Sequence, residues 1–351
     1  MNHIGIDLGA THSHVVVLSA SGELQLQKKV KTTELPHWLQ RQAASHVVME
    51  ACTQSPAIGR AAREARHVTK IVPAQFVKLL GVGARGIKTD GRDAGALARA
   101  SLHNDQLPSV HVRSEQSYSR RELISSRALL VKSRRSIAVS IKSWLRGRLV
   151  MLRGRASSHV FCDAVRKAAL EQPDGLPIAI ELLLQSFEHL TEQIAALDEL
   201  ISNVAGKDAV CERLMTIPGV GPQIALAFVT HLDCPGRFGS ADELASYLAL
   251  VPGEATTGGK VVRTRTIKAG PKYLKALLIQ AAWGLWRSRP TDPVVLWARA
   301  IADKRGNCTA IVALARKLAT MMWSMWKHGT AYNPAQASSM RIRVESHSAP
   351  S

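Results

Sequence analysis

The chain is poor in cysteine and in long apolar runs. Its 351 residues include five cysteines, an odd number, and no two of them have Cys-x-x-Cys spacing. This argues against a zinc site or a disulfide framework and favours a reduced, cytoplasmic protein. No apolar run approaches the roughly 20 residues that cross a bilayer. Met1 leads directly into a predicted strand rather than into a signal peptide, so we expect no membrane partner.

Acidic residues are also scarce. There are 27 Asp and Glu against 46 Lys and Arg, which gives a formal net charge of +19 and a pI near 10.2. An excess of this size indicates a polyanionic partner, and nucleic acid in particular. The chain is long enough for two or three domains.

The first 110 residues have the pattern of an α/β domain. Apolar runs at 3–8, 14–19 and 24–31 predict a three-strand meander. A helix, a strand ending near residue 50, a second helix and a strand at 67–72 follow. Three antiparallel strands followed by alternating helix and strand is the order of a ribonuclease H-like fold.

Four acidic residues in this domain are candidate metal ligands. Asp7 lies within the apolar run at 3–8, Glu50 closes a second apolar run, and Asp90 and Asp93 precede a helical stretch that starts at Ala94. A carboxylate in an apolar strand is costly unless a cation or hydrogen bonds compensate it. Converging carboxylates form the all-oxygen site that Mg²⁺ prefers, and paired Mg²⁺ ions cut or join phosphodiester bonds. Asp93 could instead simply cap the helix at Ala94.

Residues 111–207 are predicted to form a helical linker. Residues 113–155 hold twelve Arg or Lys and two acids, and their apolar spacing predicts a long amphipathic helix. Its cationic face is a candidate nucleic-acid surface, the alternative being a solvated charge face. The candidate contacts are Arg120, Arg127 and Arg134, seven residues apart, with Arg121 and Arg135 on nearby faces. Residues 178–204 carry an apolar stripe that predicts a coiled coil, a packed helical hairpin or an ordinary core helix.

Residues 208–332 are predicted to form a mostly helical C-terminal domain, followed by a disordered tail at 333–351. The segment 217–225 resembles a helix-hairpin-helix turn. In such a turn Gly219 and Gly221 let backbone N–H groups approach a phosphate. A plain tight turn between helices is the alternative.

An irregular Gly-rich segment is predicted at 251–260. It carries Thr256 and Thr257, and the cations Lys260, Arg263, Arg265 and Lys268 follow it. Hydroxyls flanked by cations could bind a phosphate or attack it, and local chemistry by itself favours simple phosphate binding.

Seven motifs together resemble the DEDD-type, bridge-RNA-guided insertion-sequence transposases (insertion-sequence family one-ten). The resemblance covers roughly residues 1–332, and the order and spacing of the motifs make it specific. The motifs are GIDLG at 5–9, VVMEA at 47–51, KTDGRDAGALA at 88–98, IPGVGPQIA at 217–225, LASYLALVPGEATTGGK at 244–260, IKAGPKYLKALLIQAAW at 267–283 and AIVALARKLATMMWSMWKHG at 310–329.

The resemblance implies a RuvC-like domain whose four acids match Asp7, Glu50, Asp90 and Asp93, with Mg²⁺ as the cofactor. It implies a coiled-coil linker and a C-terminal transposase domain with a serine nucleophile that joins covalently to DNA. It also implies a homo-oligomer, a dimer or tetramer, with a composite active site between protomers. DNA and a structured guide RNA that pairs with donor and target DNA are the implied partners.

The chain departs from the family pattern at the nucleophile. Thr257 stands at the position of the serine, with Thr256 and Ser246 as alternative hydroxyls. The extra methyl group of threonine crowds in-line attack and restricts χ1.

Two other functions remain open from the sequence. One is a non-catalytic nucleic-acid-binding relative that has lost transposition, which the threonine favours and the four acids oppose. The other is an actin-like ATPase or sugar kinase, because residues 5–11 resemble a first phosphate motif. No second Asp-x-Gly-Gly motif follows, and the positive charge suits a sugar substrate poorly.

Overall fold

The computed structural model describes residues 1–80, 90–104, 106–152, 159–257, 260–267 and 270–334. They fall into two units, Met1–Glu115 and Gln116–Ser351. The helices predicted as a linker therefore belong with the C-terminal residues in the second unit. Lys268 and nearly all of the predicted tail lie outside the described residues.

A five-stranded sheet organises the first unit. Its strand order is β3-β2-β1-β4-β5; β1, β2 and β3 are antiparallel neighbours, whereas β4 runs parallel to β1 and β5 parallel to β4. The strands are β1 Asn2–Asp7, β2 His12–Leu18, β3 Leu24–Lys31, β4 Ser45–Glu50 and β5 Val68–Val72. The helices are α1 Leu35–Gln40, α2 Ser55–Glu64, α3 Ala74–Val77 and α4 Asp90–His103.

The two faces of this sheet are covered by different helices, because side chains alternate along each strand. One face packs the side chains of Ile4, Ile6 and Val47 against α1 and α2. On the other face Val16 and Leu18 pack against Ala94 and Ala98 of α4. The predicted meander and the strand that ends at Glu50 are confirmed, with strand ends shifted by one or two residues.

The second unit is built almost entirely of helices. In chain order they are α5 Glu115–Arg146, α6 His159–Leu170, α7 Ile178–Gly206, α8 Ala209–Met215, α9 Pro222–Leu232, α10 Ala241–Tyr247, α11 Lys272–Ser288, α12 Pro293–Arg305 and α13 Asn307–His328. Two strands, β6 Pro252–Thr257 and β7 Lys260–Thr266, pair antiparallel between α10 and α11.

Two hydrophobic cores hold this unit together. One lies among α5, α6 and α7, where Ala138, Ile141, Phe161 and Phe187 are buried. The larger core gathers α8 to α13 with parts of α5 and α7. Four of the five tryptophans at 283–326 are half-buried against this core and Trp323 is almost fully buried, so they pack helices.

The prediction of an irregular segment at 251–260 is wrong, because residues 252–257 form a strand. The β-branched residues on either side of Gly258-Gly259 favour strands, and a two-residue Gly-Gly link is a hairpin signal. The prediction gave weight to the glycines and overlooked the alternation around them. Thr257 pairs with Lys260 at the end of the ladder.

Candidate active site and nucleic-acid interface

Asp7 and Glu50 end two neighbouring parallel strands. In the register of β1 and β4, Ile6 pairs with Met49, so the next residues along the two strands are Asp7 and Glu50. Both follow residues whose side chains lie in the core on the α1–α2 side. Strand alternation therefore directs both carboxylates to the α4 side of the sheet. Each is half-buried at the carboxyl edge.

Helix α4 brings the other two acids to this side of the sheet. It begins at Asp90 and lies directly over β1, where a Cβ on Gly5 would be 2.0 Å from the Ala94 carbonyl oxygen. Asp93, 4% exposed, precedes Ala94 and lies in the first turn of the helix. The alternative that Asp93 caps a helix starting at Ala94 is wrong, because the helix starts at Asp90, four residues before Ala94.

The donor set has the chemistry of a magnesium site. Carboxylate oxygens at strand ends and in a helix start are the hard ligands that Mg²⁺ prefers. Among the described side chains, no group of three or more His, Cys, Asp or Glu is arranged to hold a metal ion. The side chain of Asp90 lies outside that description. Convergence of all four acids therefore stays a prediction.

The β6–β7 hairpin is anchored by a lysine that the sequence pattern did not single out. The Nζ of Lys275 donates hydrogen bonds to the Ala249 carbonyl at 2.6 Å, the Thr266 hydroxyl at 3.2 Å and the Ile267 carbonyl at 3.4 Å. These acceptors lie just before β6 and at the end of β7, so one ammonium group ties both ends of the hairpin to α11. Burial lowers the pKa of Lys275.

The three arginines spaced by seven along α5 have partners within the second unit. Arg120 forms an ion pair of 2.7 Å with Asp208, and Arg127 forms a two-point ion pair with Asp198. Arg134 donates to the Thr191 hydroxyl at 3.3 Å. Since residue numbers rise along α5 as they fall along α7, the helices are antiparallel. These partners hold α5 in place, and contact of the same arginines with nucleic acid stays a prediction.

The environment of Arg127 shows how firmly it is held. Burial by itself would lower the pKa of this guanidinium, but the hydrogen bonds and charge of Asp198, with a contribution from Tyr273, raise it above its usual value. The Tyr273 hydroxyl also accepts a 2.6 Å hydrogen bond from Gln223. This network joins α5 and α7 to the starts of α9 and α11. Its members are distant in sequence, so spacing could not reveal it.

A different face of α5 is cationic and exposed. Arg121, Lys132, Arg135 and Arg146 are exposed, at separations of 11, 3 and 11 residues. Eleven residues are close to three helical turns, so the four side chains form one stripe about 38 Å long. We call these four residues the α5 stripe. Of the arginines predicted on nearby faces, Arg121 and Arg135 belong to it.

The two glycines of the predicted helix-hairpin-helix turn have different surroundings. The turn joins α8 to α9 as expected. Gly219 has φ of +89°, and a Cβ there would be 2.9 Å from the Ala281 carbonyl oxygen of α11. Gly219 is therefore needed for helix packing. Gly221 precedes α9, and a Cβ there would meet open space. Gly219 is nevertheless exposed and Gly221 half-buried, so phosphate contact by this turn stays a prediction.

Comparison with known families decides the relationship. A model of DEDD transposases of the IS110 type matches residues 4–148. A second model, described as Transposase IS116/IS110/IS902 family, matches residues 211–293. The chain belongs to this family of insertion-sequence transposases. The sequence-based identification is confirmed, and both matches oppose the ATPase or sugar-kinase alternative.

Full-length relatives agree with this assignment. The chain is 27% identical to a probable family 20 transposase of Pseudomonas aeruginosa, over 95% of this chain and 99% of the relative. It is 27% identical to the transposase for insertion sequence element IS1328 of Yersinia enterocolitica, over 94% and 98%. A similar match of 27% identity, over 94% and 90%, is the transposase for insertion sequence element IS1111A of Coxiella burnetii.

Membership of this family bears on the fold and on the partners. A DEDD transposase domain implies a RuvC-like fold, and the mixed five-stranded sheet is compatible with it. Transposases act on DNA. None of the helices in the described part of the chain combines the length and apolar character that a membrane crossing requires.

Proposed function

We propose that this protein is a DNA recombinase of an insertion sequence that cuts and rejoins DNA, assisted by Mg²⁺ and guided by a structured RNA. The observation that carries the proposal is the placement of Asp7 and Glu50 at adjacent strand ends, on the side of the sheet that α4 covers. A net charge of +19 supports a nucleic-acid assembly.

The four acids would hold the metal through their carboxylate oxygens. Bound Mg²⁺ supplies Lewis-acid stabilisation of the charge that develops on a phosphodiester. Within the chain, Asp7 and Glu50 are fixed by the β1–β4 register, while Asp90 and Asp93 are fixed by the seating of α4 on Gly5. Asp7→Asn should abolish DNA processing while circular dichroism stays unchanged. Full activity of that variant would contradict the metal site.

Thr257 is the proposed nucleophile, with its backbone at the end of β6 opposite Lys260. Attack by its Oγ would form an oxygen–phosphorus bond and break one ester bond of the DNA backbone. The threonine proton would pass to a base outside the hairpin, and the departing DNA oxygen would take up a proton as a hydroxyl. A hydroxyl needs such a base, because it is a weak nucleophile at neutral pH.

Substitutions at the two neighbouring threonines test this assignment. Thr257→Ser should keep or raise recombination, and Thr257→Ala should end both recombination and the trapped DNA–protein adduct. Loss of activity in Thr256→Ala with normal activity in Thr257→Ala would move the nucleophile by one residue. Normal recombination by both alanine variants would exclude both hydroxyls.

The α5 stripe is the proposed nucleic-acid backbone contact of the second unit. Four exposed cations in a row would contact phosphates and contribute affinity with little base reading. Replacing Arg121 and Arg135 with Gln should lower the salt slope of binding by about 1.4–1.8, because each lost phosphate contact removes about 0.7–0.9. Lys304→Gln with Arg305→Gln, which removes the same charge from the end of α12, should leave the slope unchanged.

Half-buried apolar rows support the proposal of a homo-oligomer. Four residues of α5 and four of α7 recur every seven positions beside the contact between these helices, and all are half-buried. A heptad row of this kind fits a further helix, such as one from a second copy. The rows are Leu123, Leu130, Ile137 and Trp144 on α5, and Leu183, Leu190, Leu197 and Val204 on α7.

A non-catalytic, nucleic-acid-binding relative is the second candidate, favoured by the threonine at the serine position. A plasmid excision assay separates the two functions, since only the recombinase releases the element. Sequencing the RNA that co-purifies with the full chain tests guidance. A defined structured RNA is expected, and random cellular RNA would contradict it.

A further inference from the structure

A cleft of about 560 Å³ opens in the first unit between α4 and the strands β2 and β3. Its polar lining comes from His14 and Gln27 on the strands and from Arg92 and Arg99 on the helix. Among the side chains that the structure describes, no acidic residue lines the cleft. None of the residues predicted from the sequence as nucleic-acid contacts belongs to it.

The charge of the cleft is available to a ligand. Arg92 and Arg99 are both exposed, and they are seven residues apart, so they lie on one face of α4 about 10 Å from each other along its axis. Neither guanidinium forms an ion pair with an acidic residue in the described part of the chain. Two such groups on one wall suit a ligand that repeats its negative charge.

Glycines keep this side of α4 open. A Cβ on Gly91 would be 2.6 Å from the Gln27 side-chain nitrogen, and one on Gly95 would be 3.4 Å from the Arg99 guanidinium. Each glycine inside a helix costs roughly 1 kcal/mol relative to alanine. Gly91 and Gly95 both lie in the first two turns of α4 and line the cleft. They lower the stability of the helix at positions where a larger side chain would narrow the cleft.

The cleft adjoins the backbone positions of Asp7 and Asp93. His14 pairs with Asp7 in the β1–β2 register, and Arg92 directly precedes Asp93 on α4. A chain of phosphates held along Arg92 and Arg99 would therefore run beside the carboxylates. The described lining contains no Phe, Tyr or Trp and so offers no stacking platform of the kind that proteins use for unpaired bases.

We infer that this cleft binds the sugar–phosphate backbone of a nucleic-acid strand and leads it past Asp7 and Asp93. Arg92 and Arg99 contact successive parts of the backbone, Gln27 donates a further hydrogen bond, and the contacts carry no base sequence. The inference rests on the proposed function, since it supplies the path by which a strand reaches the acidic residues.

The test measures salt-dependent binding by the full chain. Wild type and the variant Arg92→Gln with Arg99→Gln are titrated onto a 30-nucleotide single strand of mixed sequence, as DNA and as RNA. Fluorescence anisotropy is recorded from about 50 to 400 mM salt. Loss of two contacts should reduce the slope of log affinity against log salt by about 1.4. A change with DNA, with RNA or with both supports the cleft and identifies the strand.

Two further variants control for charge and for folding. Arg41→Gln with Arg66→Gln removes the same charge from exposed positions beside α1 and α2, and its slope should equal that of wild type. Gly91→Leu adds bulk to the cleft without changing its charge, so it should weaken nucleic-acid binding. The protein should stay folded, because leucine has a higher helix propensity than glycine.

The possible failures are distinguishable. A wild type that binds neither strand overturns the proposed function. A wild type that binds, with an unchanged slope in the Arg92→Gln/Arg99→Gln variant, overturns the cleft and leaves the proposed function standing. Equal slope losses in that variant and in the Arg41→Gln/Arg66→Gln control would also overturn the cleft, because the effect would then be one of net charge.

Discussion

Replacing Gly5 with alanine should separate α4 from the sheet that carries Asp7. An added Cβ would be 2.0 Å from the Ala94 carbonyl oxygen and 2.6 Å from the Ala98 nitrogen. Both are backbone atoms in the middle of a packed helix, so no flexible side chain can move aside. Overpacking typically costs about 1–3 kcal/mol, and we expect the upper end of that range here.

Hydrogen exchange measured by mass spectrometry reports this cost locally. A loss of about 3 kcal/mol should speed exchange of the β1 and α4 amides by about a hundredfold, since each 1.4 kcal/mol is tenfold. DNA processing should fall with it, because Asp90 and Asp93 move with the helix.

The matched control is Gly95→Ala in the same helix. Its Cβ would meet only the end of the Arg99 side chain, at 3.4 Å. Exchange in this variant should be unchanged or slower, because alanine is the better helix former. Wild-type exchange rates in Gly5→Ala would refute the seating of α4 on β1.

Three other perturbations test the second unit. Asp208→Ala should lower the free energy of unfolding by about 1 kcal/mol for the lost α8 cap and by about 3 kcal/mol more because Arg120 loses its ion-pair partner. Asp208→Asn should keep most of the cap and lose only the ion pair, so urea unfolding of the two variants separates the two contributions. Burial would raise the pKa of Asp208, but hydrogen bonds from the Cys211 N–H, Arg120 and the Val210 N–H lower it. The contribution of Asp208 to folding stability is therefore complete above the unfolded-state pKa near 3.8 and is lost as the pH falls below that value. Lys275→Met should speed amide hydrogen exchange throughout the β6–β7 hairpin. Lys272→Met, at an exposed position, is the control and should leave exchange unchanged. Leu190→Asp with Leu197→Asp should dissociate or unfold the assembly in sedimentation, and a folded wild-type monomer with nucleic acid bound would count against the oligomer.

Local patterns in the sequence determined much of the first unit. Apolar runs that include Asp7 and Glu50 located β1 and β4 to within a residue or two, because strand formation depends on alternation and β-branched residues near in sequence. The long helices α5 and α7 were likewise evident from their periodicity. The family could be identified from motif order, since that order is itself a property of the sequence.

Only the tertiary structure decided what several of these faces contact. Heptad spacing placed Arg120, Arg127 and Arg134 on one side of α5, but it could not show that this side meets Asp198 and Asp208, which lie 71 and 88 residues further along. The requirement for glycine at position 219 likewise could not be seen in the sequence, because it arises from the backbone of α11, which a side chain there would meet. Spacing fixes which residues share a face, whereas the partner of that face depends on how distant segments pack and exclude water.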